Sequence, residues 1–179
     1  MKVKFGPAII LLITLLCSVL YLPRALAVDA SLMISGNVAA STCIVDKDTQ
    51  NVNIGTFSAK DFPSTGSVSD TQTFDIDLSE CYDKLKNVQI KFSGTTDNDN
   101  PSLLALADSG SGKIMATGIG IELLDSNQKI LPFNSTEPFT YDLSGASNKF
   151  IFFLRYKSTK DQVTSGEASA VMYFDLTYQ

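Results

Sequence analysis

The carboxyl-terminal stretch of this chain alternates strictly between apolar and other residues. A β-strand presents every second residue on the same side, so such a stretch predicts a half-buried strand. We expect this strand to start at Gly166 and to run to the last residue, Gln179. Most chain ends fray, and a strand that reaches the end must have a partner there too. The apolar positions are Ala168, Ala170, Met172, Phe174, Leu176 and Tyr178.

The same alternation recurs in short segments along most of the chain, with Gly, Asn, Asp, Ser and Pro between them. No segment has a convincing helical period. The pattern predicts about eight to ten short strands and an all-β, immunoglobulin-like sandwich, although antibody-type domains carry a buried tryptophan and this chain has none. The segments are 32–38, 52–57, 74–78, 88–92, 103–107, 119–123, 129–133, 139–143 and 150–156.

Residues 1–27 have the features of a secretory signal peptide. Two lysines precede an apolar run at 8–22, and Ala25-Leu26-Ala27 form a small-residue cleavage site. A membrane anchor is the alternative, but the run is short for a spanning helix. We expect cleavage after Ala27, which leaves a single exported domain with no stable membrane insertion.

The acidic charge of the chain favours solubility, or a basic partner. The full sequence has 14 basic and 19 acidic side chains. Loss of Lys2, Lys4 and Arg24 with the signal leaves 11 basic and 19 acidic side chains, a net charge of −8. A phosphate backbone or an anionic membrane would repel such a chain, so we expect no nucleic acid as partner.

Cys43 and Cys81 are the cysteines that remain after signal cleavage. Exported proteins join such a pair as a disulfide, here closing a loop of about 39 residues and stabilising the fold by roughly 4 kcal/mol. A zinc site or a reactive thiol is the alternative. Neither has the further ligands or bases it needs, because the chain contains no histidine.

No constellation in the sequence indicates an enzyme, a cofactor or a metal. Without histidine there is no Ser-His-Asp or Cys-His arrangement. Ser126 and Lys129 have serine-acyltransferase spacing but lie in a polar segment that predicts a hairpin turn. Residues 118–120 lack the rest of a dinucleotide fingerprint and predict close strand packing. Residues 97–100 predict a polar turn rather than a calcium loop, and Asp75 and Asp77 predict the solvent side of a strand.

The segment 32–38 carries an alternating apolar face of its own. It is either an ordinary first strand of the sandwich or a free arm that adds as a strand to another molecule. An unpaired edge invites aggregation, so an exported protein with one needs a chaperone. The residues on this face are Leu32, Ile34, Gly36 and Val38.

Together these features resemble the pilin subunits of chaperone–usher fimbriae of the type 1 kind, over essentially all of residues 28–179. The marks are Gly36 in the alternating arm, the spacing of the two cysteines, and the stretches at 102–106 and 118–125. The most specific mark is the ending, where Gly166 is fourteenth from the end and Tyr178 is penultimate.

The resemblance implies an incomplete immunoglobulin-like sandwich that a donor strand completes, with 28–40 as an amino-terminal extension and 41–179 as the pilin domain. It implies a structural subunit that polymerises by donor-strand exchange, contributes to cell adhesion, and is exported through the periplasm to a surface fimbrium. Its partners would be a periplasmic chaperone, an outer-membrane usher and neighbouring pilins. The short extension resembles that of minor subunits near the fimbrial tip.

The resemblance also assigns roles to residues. Leu32, Ile34, Gly36 and Val38 would be the donor residues, with Gly36 over a shallow pocket. The terminal strand would line the acceptor groove and meet the chaperone, through Gly166, Ala168, Ala170, Met172, Phe174, Leu176, Tyr178 and the carboxylate of Gln179.

A secreted sandwich that is complete in itself and binds a carbohydrate or a protein is the alternative. In that case segment 32–38 would pair within its own sheet, and the chain would be a stable monomer.

Overall fold

The computed structural model describes residues 42–108, 110 and 112–179. The expected signal peptide (1–27) and extension (28–40) lie outside the described residues, as do Leu32, Ile34, Gly36 and Val38. Within the described part, no helix is long and apolar enough to cross a membrane.

The described part of the chain forms eight β-strands and one short 3-10 turn, Ala59–Asp61. The prediction of an all-β fold is therefore confirmed. In chain order the strands are β1 (Ile44–Val45), β2 (Gln72–Ser79), β3 (Asn87–Gly94), β4 (Leu104–Ala105), β5 (Ile119–Asp125), β6 (Phe139–Asp142), β7 (Asn148–Ser158) and β8 (Met172–Tyr178).

The strands make two sheets. One has five strands in the order β1-β2-β7-β5-β4, and the other has three in the order β6-β3-β8. Every ladder between these strands is antiparallel. The terminal strand β8 thus pairs with β3, in the smaller sheet, and forms one of its edges.

The core lies between the sheets and follows the alternation of β2, β3 and β7. Phe152 is its centre: its ring stacks on Phe74 at 5.4 Å between centroids and meets Phe92 edge-on at 5.1 Å. Burying one such side chain stabilises the fold by about 1.5–3 kcal/mol, so these rows hold the sheets together. The buried rows are Phe74, Ile76 and Leu78; Val88, Ile90 and Phe92; and Phe152, Leu154 and Tyr156.

Cys43 and Cys81 form the predicted disulfide. It ties the residue before β1 to the residue that closely follows β2, and both sulfurs are buried in the core.

The terminal strand begins at Met172, and the prediction that it begins at Gly166 is wrong. Before Met172 the backbone bonds to a different part of the chain: Ala116 N–H donates to Glu167 O at 2.9 Å, and Ala107 N–H donates to Ser169 O at 2.8 Å. Ala168 and Ala170 therefore lie in an extended segment outside the β3–β8 ladder.

Two further segments that were predicted to be strands form no strand in the described part of the chain. Residues 52–57 form no ladder, and the nearby Gln50 is linked to β2 through its side chain, whose Nε2 donates to Asp75 O at 2.7 Å. Residues 129–133 contribute a single bridge, between Leu124 and Ile130. Alternation reports which face is apolar, whereas a strand also needs a neighbouring backbone to pair with.

The polar segments have the predicted turn structure. Asp125 closes a hairpin turn, since its Oδ1 accepts from Asn127 N–H at 2.8 Å and Lys129 N–H at 2.9 Å. Asp97 likewise accepts from the backbone of Asp99 at 2.9 Å and of Asn100 at 3.0 Å. Each carboxylate thus stabilises its own turn.

Candidate strand-binding groove

Two sheet edges border a common groove on one side of the sandwich. Among the described strands, β8 pairs with β3 alone, and β2 pairs with β7 along its length but with β1 only at Leu78 and Ser79. Residues 48–57 form one rim, and residues 163–174 form the other.

The groove consists of two adjoining cavities. The first, of about 590 Å³, lies between residues 53–59 and 163–168 and reaches Phe62 and Ile119. The second, of about 610 Å³, lies between residues 48–54 and 168–174. Its floor is apolar and consists of Phe74, Leu104, Ile121 and Leu154.

The inward face of β8 is only half-buried. Met172, Phe174, Leu176 and Tyr178 pack against the core yet retain solvent exposure. The β3 partners of Phe174, Leu176 and Tyr178, by contrast, are fully buried, with Val88, Ile90 and Phe92 at 0% exposure. A partly covered apolar row beside an open strand edge is a typical site for binding another chain.

The chain end is paired up to its last residue, as we expected from the sequence. Tyr178 lies opposite Val88, and the Gln179 N–H donates to Asn87 O at 3.0 Å. A terminal oxygen of Gln179 accepts from Lys86 N–H at 2.8 Å and from Asn87 N–H at 3.1 Å. The terminal group is thus fixed in place by two backbone donors.

The Tyr178 side chain links this end to the disulfide. Its hydroxyl is hydrogen-bonded with the backbone of Cys43, the residue joined to Cys81. Burial raises the pKa of Tyr178, and this hydrogen bond partly opposes the rise. The phenol is therefore neutral at physiological pH.

Gly166 is placed where no side chain fits. A Cβ atom there would lie 2.3 Å from Ala116 N and 2.4 Å from Met115 C. The absence of a side chain lets residues 164–169 run against Ala107 and residues 114–117, which fixes one rim of the first cavity.

The groove contains most of the terminal residues that the sequence singled out. Gly166 and Ala168 line the first cavity; Ala168, Ala170, Met172 and Phe174 line the second. Leu176 and Tyr178 continue the same face of β8 beyond both cavities, towards Cys43. Gln179 is exposed at the end of the strand.

Sequence reasoning missed the role of Tyr156, which lines both cavities. Its hydroxyl donates to Ala168 O at 2.8 Å, and its ring meets Phe57 edge-on at 5.9 Å between centroids. Alternation in 150–156 indicates that this residue faces the core, but nothing in the sequence indicates that it borders the groove.

The charged residues of the larger sheet lie away from the groove. Glu122 is 1% exposed and accepts from Arg155 Nε at 2.7 Å and Lys157 Nζ at 2.6 Å. Asp75 and Asp77 pair with Lys149 on the solvent side of β2, as predicted for the two carboxylates. The hydrogen bond from Lys149 lowers the pKa of Asp75.

No group of three or more His, Cys, Asp or Glu side chains is arranged to hold a metal within residues 42–108, 110 and 112–179. The floor of the groove offers apolar contact, and its lining includes polar side chains such as Asp48, Lys113 and Glu167. An apolar floor beside an unpaired strand edge suits an extended peptide.

Comparison with known proteins identifies the family. The model of the fimbrial protein family matches residues 32–179. The uncharacterized fimbrial-like protein YcbU of Escherichia coli K12 is 40% identical over 154 residues, which cover 84% of this chain and 85% of that protein. A type-1 fimbrial protein subunit of Serratia marcescens is 34% identical over 164 residues, 87% of this chain and 90% of that protein.

Solved structures agree with this result. The Burkholderia pseudomallei antigen and type I fimbria protein BPSL1626 is similar with a TM-score of 0.59 and 32% identity, over 76% of this chain and 89% of that one. The P pilus rod subunit PapA is similar with a TM-score of 0.63 and 25% identity, over 76% of this chain and 99% of that one. These likenesses confirm the immunoglobulin-like sandwich, and the chain belongs to the fimbrial protein family, as a structural pilin subunit rather than an enzyme.

Proposed function

We propose that this protein polymerises into a surface fimbria by donor-strand exchange, in which the groove of one subunit receives the amino-terminal arm of the next. The observation that carries the proposal is the half-buried apolar row of β8 beside the open groove. Donor-strand complementation between a chaperone and a pilin is an established form of strand addition, so the mechanism itself is not new. What we propose is that this chain uses it.

An added strand would satisfy both needs of the groove. Its backbone would pair with the free edge of β8, and its side chains would cover Met172, Phe174 and the second-cavity floor. Completing the burial of a half-covered apolar side chain stabilises a complex by about 1 kcal/mol. Several such side chains and a new ladder together favour a long-lived assembly.

The arm of this chain has the properties of such a strand. Residues 32–38 alternate, with Leu32, Ile34, Gly36 and Val38 on one face. Seven extended residues span about 23 Å, and β8 itself has seven residues. The arm is thus long enough to pair along the full edge of β8.

Before assembly the groove needs a temporary occupant, because an exposed apolar edge aggregates. We assign this role to a periplasmic chaperone, with release at an outer-membrane usher during export to the cell surface, where the fimbria contributes to adhesion. The chaperone would contact Gly166 to Gln179, and a basic side chain would approach the Gln179 carboxylate. The acidic balance of the chain suits such a basic partner.

Deletion of residues 28–38 tests the proposal. The deleted chain keeps its groove, so we expect it to co-purify with the chaperone at the normal level but to form no polymers in which it donates a strand. The matched control is Ser31→Ala with Ser35→Ala, which changes the opposite face of the arm and should polymerise normally.

Polymers of normal length from the deleted chain would contradict the proposal. So would a mature chain that remains a stable monomer at micromolar concentration without any partner, which is the behaviour of a self-contained binding module.

A further inference from the structure

We propose that the outward side of β8 is a second recognition surface for the arm, where Val171 and Tyr173 of one subunit bind Met33 of a second copy of this chain. This inference rests on the proposed function. It adds a contact outside the groove that determines how firmly a given arm is held.

Val171 and Tyr173, which we call the outer patch, are two apolar side chains on the outward side of the terminal segment. Met172 and Phe174 pack against the core, so alternation turns their neighbours Val171 and Tyr173 the opposite way. The two side chains are 57% and 65% exposed, and both residues border the second cavity. Two large apolar side chains that stay this exposed beside an open strand edge indicate a binding surface.

The neighbours of the outer patch on this face of the sheet are polar. Tyr173 lies opposite Ser93 on β3, whose side chain is too small to cover the ring. An added strand at the free edge of β8 would lie on the other side of the ring and could cover it. The cross-strand pairs further along this face are Lys91 with Asp175 and Gln89 with Thr177.

The arm carries one apolar side chain on the face that would point away from the groove, and it is Met33. The other residues on that face are Ser31, Ser35 and Asn37, which are polar. A methionine side chain is unbranched and flexible, and its thioether makes favourable contacts with aromatic rings. Met33 therefore matches the outer patch in its chemistry.

An antiparallel arm brings Met33 to the outer patch in each register that fills the groove. Of the alternating terminal row, five residues line the groove, and Leu176 and Tyr178 lie beyond it. The four inward residues of the arm fit over these five positions in two registers, in which residue 33 lies opposite either Val171 or Tyr173. Opposite side chains on one face are about 5 Å apart and diagonal ones about 7 Å, so Met33 reaches both residues in either register. The five lining residues are Gly166, Ala168, Ala170, Met172 and Phe174.

The arm on the outer patch comes from a second copy and not from the same subunit. Every ladder between the described strands is antiparallel, and we take the added arm to continue this pattern along β8. The described chain begins at Thr42, and Cys43 is hydrogen-bonded with Tyr178 at the far end of β8. A subunit's own arm would therefore enter its groove beside Tyr178 and run parallel to β8.

Cysteine cross-linking in the full-length exported chain tests the contact. Met33→Cys is combined in turn with Val171→Cys, with Tyr173→Cys and, as the matched control on the same exposed face, with Thr177→Cys. At least one of the first two pairs should give a ladder of disulfide-linked subunits on non-reducing gels, and the control pair should give none.

Three outcomes would overturn the inference: a ladder from the Thr177→Cys pair alone, an internal disulfide between the new cysteines of a monomer, or polymers that form without any ladder. The third would leave the proposed function intact. Absence of polymers from the wild-type chain would instead contradict the proposed function.

Loss of the contact should also shorten the lifetime of the polymer. Fimbriae of the Met33→Ser chain should dissociate about five-fold faster in guanidinium chloride than those of the wild type, which is the usual size of effect for a sulfur–aromatic contact. Ser35→Ala, on the same face of the arm, is the matched control and should leave the dissociation rate unchanged.

A double-mutant comparison separates contact with the outer patch from a general effect on the arm. In a background with Val171→Ser and Tyr173→Ser, the change Met33→Ser should accelerate dissociation by less than about two-fold. Both patch side chains are more than half exposed, so this background should fold normally, and its urea midpoint checks that. An acceleration of the same size in both backgrounds would overturn the inference.

Discussion

Replacing Gly166 by alanine should destabilise the rim of the first cavity. The new Cβ atom would lie 2.3 Å from Ala116 N and 2.4 Å from Met115 C, and ordinary contact begins at 3.4 Å, so these backbone segments must separate by about 1 Å. Two hydrogen bonds join them: Ala116 N–H to Glu167 O at 2.9 Å and Glu167 N–H to Ile114 O at 2.8 Å. A separation of that size stretches both beyond hydrogen-bond range.

The expected loss in the free energy of unfolding is about 2 kcal/mol, because two backbone hydrogen bonds contribute about 0.5–1.5 kcal/mol each. Urea unfolding of the purified chain at fixed protein concentration measures it. With a slope of about 2 kcal/mol per molar urea, the midpoint should fall by about 1 M. Under the proposed function, chaperone capture of the variant should fall as well, since Gly166 lines the groove.

Gly120→Ala is the matched control. Its Cβ would lie 3.0 Å from the Leu103 Cβ and 3.1 Å from Leu104 O, so the neighbours need to move by only a few tenths of an ångström. The expected loss is below about 1 kcal/mol. If Gly166→Ala proves no more destabilising than Gly120→Ala, the close approach of the two backbones does not explain why position 166 is glycine.

Two further predictions concern residues outside the groove. Glu122→Ala should lower the free energy of unfolding by about 3 kcal/mol, because it leaves Arg155 and Lys157 without their buried counter-charge; an effect within about 0.5 kcal/mol in urea unfolding would refute this. Burial raises the pKa of Tyr141 from 10.0 to about 12, so its contribution to stability is fully present below pH 10 and is lost as the pH rises towards 12. The urea midpoint of Tyr141→Phe should therefore decrease less between pH 10 and pH 12 than that of the wild type. Tyr173→Phe, at a side chain that is 65% exposed, is the control, and its midpoint should decrease as much as that of the wild type.

The sequence predicted the layers of the sandwich because each central strand is paired along its length with at least one neighbour. In β2 and β3 each large apolar side chain on one face becomes buried, and in β7 Phe152, Leu154 and Tyr156 do, so alternation and structure coincide. At 52–57 the same alternation predicted a strand that did not form, since no ladder runs along that part of the chain. The prediction that Ala168 and Ala170 belong to the terminal strand failed for another reason. Their spacing continues that of β8, but the backbone there is hydrogen-bonded to Ala107 and Ala116.

The site was predictable in part for a related reason. The terminal residues Met172 and Phe174 could be assigned to a half-buried face from their spacing alone. The opposite rim at 48–57 and the place of Tyr156 between the two cavities could not, because they depend on which distant segments meet across the groove. Period-two alternation identifies a face, and it carries no information about the gap between two edges.

The pairing of β8 with β3 also limits how early in folding the smaller sheet can form. Val88 lies opposite Tyr178, about 90 residues later in the chain. The pairing of β2 with β7 likewise joins strands that are far apart in the sequence. Such distant pairings form slowly, on a scale of milliseconds to seconds, because the entropy of closing a long loop is lost before the stabilising contacts form. As the chain is synthesised amino-terminus first, β3 has no partner on that side until the residues of β8 have been made. An unpaired strand edge is prone to misassociation, so this side of β3 is exposed to it throughout synthesis.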